Sequence, residues 1–220
     1  MIYYKYLSLN DYGDDKAEMD SRALNSIRDN SLYFARWSEF NDIGEGCFKI
    51  NQDTNGNLNR GEIYNKIIDH KHSLSVLCST ISPVNAAMWA LYGNAHNGIC
   101  IGFKVIDRKQ IQTVKIKYME SPPIINVNRI GSDEKLYLKW AKNILSRKSK
   151  DFKFEQEYRH LICEEPQCVN VEIREIYFGW KVRQDIIDEV KYITKNKCLS
   201  LNYLAKNRGK YDYTITSKQS

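Results

Sequence analysis

Strand-like runs over residues 74–79, 98–105, 113–119 and 172–178 outnumber the helices that separate them, and this most narrows the folds open to the chain. Helical spacing appears over 17–28, with Ala23, Leu24 and Ile27 on one stripe, and around Ile63, Ile67 and Ile68. It recurs over 82–91, over 133–147 and around Ile186, Ile187, Val190 and Ile193. A doubly wound parallel sheet needs a helix between nearly every pair of strands, and these helices come at irregular intervals. The expectation is therefore α+β, a mixed, mostly antiparallel sheet core with inserted helices. No internal repeat or linker divides the 220 residues, so a single domain over 1–220 is expected, with 42% hydrophobic residues to fill its core.

Local signals place the boundaries. A strand is expected over 2–9 and a short one over 32–34, followed by a polar loop over 39–46 and a surface excursion over 53–59. Ser82 as cap with Pro83 at the first helical position starts the helix that runs to Leu91, and Ser132 with Asp133 and Glu134 starts the one over 133–147. Residues 148–153 read as a charged break. Residues 199–216 read as a closing hairpin with Asn207-Arg208-Gly209 at its turn.

Several function classes fall away. No Gly-x-Gly-x-x-Gly follows a strand and no Gly-Lys-Ser phosphate loop occurs. No apolar run reaches the roughly 20 residues of a membrane span, and the first residues lack the pattern of a secretory leader, so a cytoplasmic protein without a membrane partner is expected. Six cysteines without a Cys-x-x-Cys pair read as free thiols, and His70-x-His72 has no third ligand nearby, so no metal is expected. The net charge of +6 gathers in Lys139, Lys142, Arg147, Lys148, Lys150 and Lys153. It gathers again in Lys206, Arg208 and Lys210 beside Tyr203, Tyr211 and Tyr213. Each group is either a polyanion contact or a solvated face.

Residues 154–162, read as a strand, put Glu155, Glu157 and Arg159 on one face, with same-face neighbours only about 7 Å apart. Two carboxylates so placed repel unless a counter-charge or a substrate uses them. Arg159 can supply that charge, as can cross-strand Lys115 or Lys117. A catalytic pair is the other reading.

The segments Cys78-Ser79-Thr80-Ile81-Ser82, Met88-Trp89-Ala90-Leu91-Tyr92 and His96 to Phe103 resemble the central block of the bacterial domain of unknown function 2971 family. Tyr4-Lys5-Tyr6, Phe40-Asn41-Asp42, the Glu-x-Glu-Tyr-Arg stretch and Ile176 to Gly179 follow in the family's order. Ile43, Gly44 and Phe152 depart from its pattern. The resemblance implies an association with abortive infection and phage resistance, and no agreed activity.

The order of these segments also resembles ADP-ribosyltransferases. It implies that Glu157 stabilises the ribose cation formed as NAD loses nicotinamide, that Glu155 orients or deprotonates the nucleophile, and that Ser79 steadies Glu157. Lys5 stands where Arg or His is usual. Tyr92 and Trp89 supply ring faces, although Trp89 equally suits a core. Arg159 holds a phosphate or pairs with Glu157, and His96 and Asn41 complete the cofactor side, His96 serving alternatively as a structural imidazole. NAD is then a substrate, the acceptor an intracellular protein or nucleic acid, and an antitoxin or regulatory partner is implied. Two alternatives stay open: a nuclease toxin with Asp42, Glu155, Glu157 and Lys153 around Mg²⁺, and a non-catalytic sensor or binding module.

Overall fold

The computed structural model describes residues 1–9, 21–51, 59–126, 133–207, 209–210 and 213–217. The fold is α+β with mostly antiparallel strand pairing. Backbone proximity groups the chain into two compact units: Met1–Tyr33, Cys78–Arg108 and Cys168–Ser220 make the first, Phe34–Leu77 and Lys109–Gln167 the second. Elements are numbered along the chain.

The first unit is built on a sheet in the order β1 (Tyr3–Leu7), β5 (Ile99–Val105), β11 (Gln167–Phe178), β12 (Ser200–Lys206), β13 (Tyr213–Thr216). Only the β11–β12 pairing in it is parallel. Strand β5, between β1 and β11, buries Ile99, Cys100, Ile101 and Phe103 completely, because a strand covered on both faces needs consecutive rather than alternating apolar residues. Helices α1 (Ser21–Asp29) and α5 (Gln184–Thr194) pack together. Their buried stripes are the expected Ala23, Leu24 and Ile27 on one side and Ile186, Ile187 and Val190 on the other.

Helix α3 (Ala86–Leu91) begins later than expected, capped by Asn85, whose side chain accepts from the Ala87 and Met88 amides. The Tyr6 hydroxyl is the reason: it donates to the Ser82 carbonyl at 2.8 Å and accepts from the Asn85 amide at 3.2 Å, so the Ser82–Asn85 stretch is bonded across to β1 and does not coil. Ser82 is therefore not the cap. The expected 199–216 hairpin forms as β12 and β13. Arg208 and Tyr211 of the basic patch lie outside the described residues.

The second unit holds β10 (Tyr158–Ile162) and β6 (Gln112–Lys115) and parts of β2 (Ser31–Arg36) and β4 (Ser75–Ser79), and the four are neighbours in the order β2, β4, β10, β6. Two parallel pairs stand apart: β3 (Lys49–Ile50) with β8 (Ile124–Ile125), and β7 (Lys117–Met119) with β9 (Arg147–Ser149). Helix α2 (Arg60–His72) packs on α4 (Glu134–Ile144) through Ile63, Ile67, Tyr137, Ile144 and Ile125. The Asn59 side chain caps α2. The rest of the expected 53–59 excursion lies outside the described residues, as does Ser132, and α4 is capped by Asp133.

The expected strand at 113–119 splits at buried Ile116, whose amide donates to the Glu157 carbonyl while the next amide, Lys117, turns to Ser146. The 148–153 stretch is no simple break. Arg147–Ser149 is β9, and Lys150–Glu155 is a 3₁₀ helix that Ser149 caps by accepting from the Asp151 amide. Residues 154–157 are not a strand. Glu155 ends the 3₁₀ helix, Gln156 takes a left-handed conformation at φ 49°, and β10 starts only at Tyr158. Burial of Glu155 on a lysine of β9 favours this turn over extension.

Candidate functional site

The turn at Gln156 brings Glu155 and Glu157 to one ammonium even though they do not share a strand face. Lys148 Nζ donates to Glu155 Oε2 at 2.7 Å and to Glu157 Oε2 at 3.3 Å, and both carboxylates are 3% exposed. Lys148 also lies 4.5 Å over the Phe152 ring, which screens the contact from water. A buried carboxylate without a cation would be protonated or unfold the site, so β9 and the 3₁₀ helix must form together.

Arg159, fully buried on β10, is the second centre of charge. Its Nε donates to Glu157 Oε1 at 2.6 Å. Its two terminal nitrogens grip Glu45 in a fork at 2.5 and 2.6 Å, and one of them also donates to the Leu145 carbonyl at 2.8 Å. Planar guanidinium suits such bidentate pairing, and every contact here is charge-assisted. The 157/159 spacing keeps its expected same-side relation, and of the counter-charges expected for the acids Arg159 serves one.

Glu45 and Lys71 were not legible as partners of this cluster. Glu45 sits in the polar turn after Phe40, held by Glu45 N–H to the Asp42 carbonyl at 3.0 Å and Cys47 N–H to the Gly44 carbonyl at 3.2 Å. Lys71 had a signal that could have found it: it continues the Ile63, Ile67 stripe at intervals of four, where a lysine must be buried. Its Nζ donates to the Gly46 carbonyl at 2.7 Å and lies 3.6 Å over the Trp37 ring. Burial pushes this amine down to about 8, against the smaller opposing pull of Cys47 and Glu45. Gly46 is required at φ 66°, since a Cβ there would stand 2.7 Å from Lys71 Nζ. Tyr118 completes the surroundings: its oxygen accepts from the Glu157 amide at 2.7 Å, and burial raises its hydroxyl to about 12.

Lys148 is also part of the wall of a cleft of about 240 Å³, together with Arg147, Gly44, Cys47, Met119 and Pro123. Lys148 thus joins the ion-paired cluster to a cleft whose wall carries two basic residues, Arg147 and Lys148, and one carboxylate, Glu120. Gly44 and Cys47 of that wall belong to the Phe40–Cys47 turn, which Arg159 holds through Glu45 and Lys71 through Gly46.

The remaining expected positions divide between the units. Asn41 is an exposed bend residue of the second unit, beside Asp42, whose Oδ1 accepts from the Gly44 amide. Ser79, Lys5, Tyr92, Trp89 and His96 belong to the first unit. Ser79 is buried at the end of β4, Lys5 is half-buried on β1, and Tyr92 is the half-buried C-cap of α3. Trp89 is fully buried, edge-on to Tyr6 at 5.0 Å, with Nε1 donating to the Pro83 carbonyl at 2.8 Å. His96 Nδ1 lies 2.9 Å from the Tyr213 hydroxyl. His70 Nε2 pairs with Glu134 at 2.9 Å, and among the described residues no cysteine is joined in a disulfide. Among the described residues no helix is long and apolar enough to cross a membrane.

Residues 88–160 match the model of a family described as a protein of unknown function, DUF2971. The matched segment contains Trp89, Tyr92, His96, Lys148, Glu155, Glu157 and Arg159 and leaves out Lys5, Asn41, Glu45, Lys71 and Ser79. No curated protein and no solved structure matches the chain.

Proposed function

We propose that the cleft beside Lys148 takes NAD and that the protein transfers its ADP-ribose to an intracellular acceptor, in the setting of bacterial toxins and antiphage defence. The observation that carries this reading is the convergence of Glu155 and Glu157 on the one ammonium in the cleft wall. Loss of nicotinamide leaves the ribose cationic, so a carboxylate fixed before the reaction stabilises the transition state more than the ground state. Arg159 holds Glu157 in place from behind, and Lys148 meets the pyrophosphate, leaving the carboxylates to face the sugar. Glu155, released from the same ammonium, is the base for the incoming nucleophile.

A second reading has its own support. Both oxygens of Glu157 are engaged by Arg159 and Lys148, and such saturation also suits a binding module that holds an anionic ligand without reacting. Incubating the purified protein with NAD and a cell extract, and following free nicotinamide, tests the first reading. Steady release that survives chelation of divalent ions, with the ADP-ribose recovered on an acceptor and not free in solution, supports transfer. NAD binding without release supports the module, and chelator-sensitive cleavage of nucleic acid supports a nuclease instead.

A further inference from the structure

A separate cluster in the first unit surrounds His96. The Trp180 indole carries two ammonium groups, with Lys206 Nζ 3.8 Å and Lys181 Nζ 4.9 Å from its centroid. The His96 ring lies 5.9 Å from Trp180 and 5.9 Å from Tyr213. Among the described residues neither Lys181 nor Lys206 has a carboxylate partner. Two like charges gathered at one ring make a local positive field. Its mark is on the imidazole, which burial first and then these two ammoniums hold below the usual histidine range.

The backbone that presents His96 is strained. Asn94, Ala95 and His96 follow one another at φ 47°, 48° and 74°, a left-handed run that is uncommon for residues other than glycine and least favoured at Ala95. It is held from several sides: Asn94 Nδ2 donates to the Leu9 carbonyl, the His96 amide to Trp89, and the Lys181 amide to the His96 carbonyl. Gly179 allows the approach, since a Cβ there would lie 2.2 Å from the His96 oxygen. Strain so over-determined tends to mark a place where side-chain position matters for function.

We propose that Trp180, His96, Tyr213, Lys181 and Lys206 form a binding surface for single-stranded nucleic acid. The lysines leave the indole for phosphate oxygens, and a base takes their place on the ring. Every base has a face that stacks, and each phosphate contact adds an electrostatic, salt-sensitive contribution. An acidic peptide would use the ammoniums and leave the rings idle. This surface stands independently of the NAD reading.

Anisotropy of a fluorescein-labelled 12-mer of uridine, titrated with the full chain from 50 to 200 mM salt, tests it. Binding at 50 mM salt is expected, weakened about tenfold by Trp180→Ala and largely restored by Trp180→Phe. Lys181→Gln with Lys206→Gln, both at exposed positions, should flatten the slope of log affinity against log salt by about 1.4, or 0.7 for each lost phosphate contact. Displacement of the oligomer by ATP at matched nucleotide concentration supports the same base-and-phosphate chemistry with free nucleotide as its source. Absence of binding at 50 mM salt overturns the proposal. So does unchanged affinity in both the Trp180→Ala and the double-lysine variants, or displacement by polyglutamate as effective as by unlabelled oligomer.

Discussion

Arg159 and Glu45 are joined through two parallel hydrogen bonds of 2.5 and 2.6 Å, although 114 residues separate them in the chain. Both side chains are almost wholly buried, so the pair ties β10 to the Phe40–Cys47 turn where no solvent screens it. Removing one member strands the other charge. Arg159→Met, which leaves Glu45 and Glu157 without their guanidinium, should lower unfolding free energy by about 3–5 kcal/mol in urea titration. The double change Arg159→Met with Glu45→Leu should recover part of that loss, whereas strictly additive losses would show that the pair is not coupled.

Lys71 makes stability depend on pH in a defined direction. The unfolded chain keeps this amine protonated to about 10.5 and the folded protein only to about 8, so between those values the unfolded state holds more protons and stability rises with pH. The stability difference between the parent and Lys71→Met should therefore move in favour of the parent by up to about 1.4 kcal/mol per pH unit from pH 8 to 10.5. Urea midpoints measured across that range check it, and a flat difference would mean that Lys71 titrates as an ordinary surface lysine.

Capping distinguishes two nearby residues. Asn85→Ala should cost about 1 kcal/mol, because two amides of α3 lose their acceptor. Ser82→Ala should cost less, since its carbonyl, not its hydroxyl, receives the Tyr6 bond. Thermal melts of the two variants decide the order.

Gly179→Ala should destabilise the first unit by about 1–3 kcal/mol, because the added Cβ meets backbone, the His96 carbonyl, which cannot swing aside as a long side chain can. The His96 imidazole resonances should shift in the same variant. A neutral substitution would show that the left-handed run relaxes freely.

Much of the fold was legible because it rests on local periodicity. The stripe of Ala23, Leu24 and Ile27, the Ile186–Val190 face and the closing hairpin all follow from spacing alone. The site was legible in its residue types and not in its geometry. Glu155 and Glu157 were singled out because two carboxylates two residues apart demand a cation, and the structure supplies Arg159 and Lys148. Their presentation by a 3₁₀ turn was not readable, since it depends on Lys148 meeting both Glu155 and the Phe152 ring, contacts no periodicity encodes. Glu45 was hidden for the same reason: a glutamate in a polar turn looks solvated until a distant arginine reaches it.

Nicotinamide release by the parent protein and by Glu157→Gln, at saturating NAD and with thermal midpoints of both proteins recorded, tests the central claim most directly. The amide keeps the shape of the side chain and removes the charge proposed to stabilise the ribose cation. A loss of roughly a hundredfold or more in turnover, in a variant that remains folded at the assay temperature, is the expected result. Equal turnover in the two proteins would contradict it.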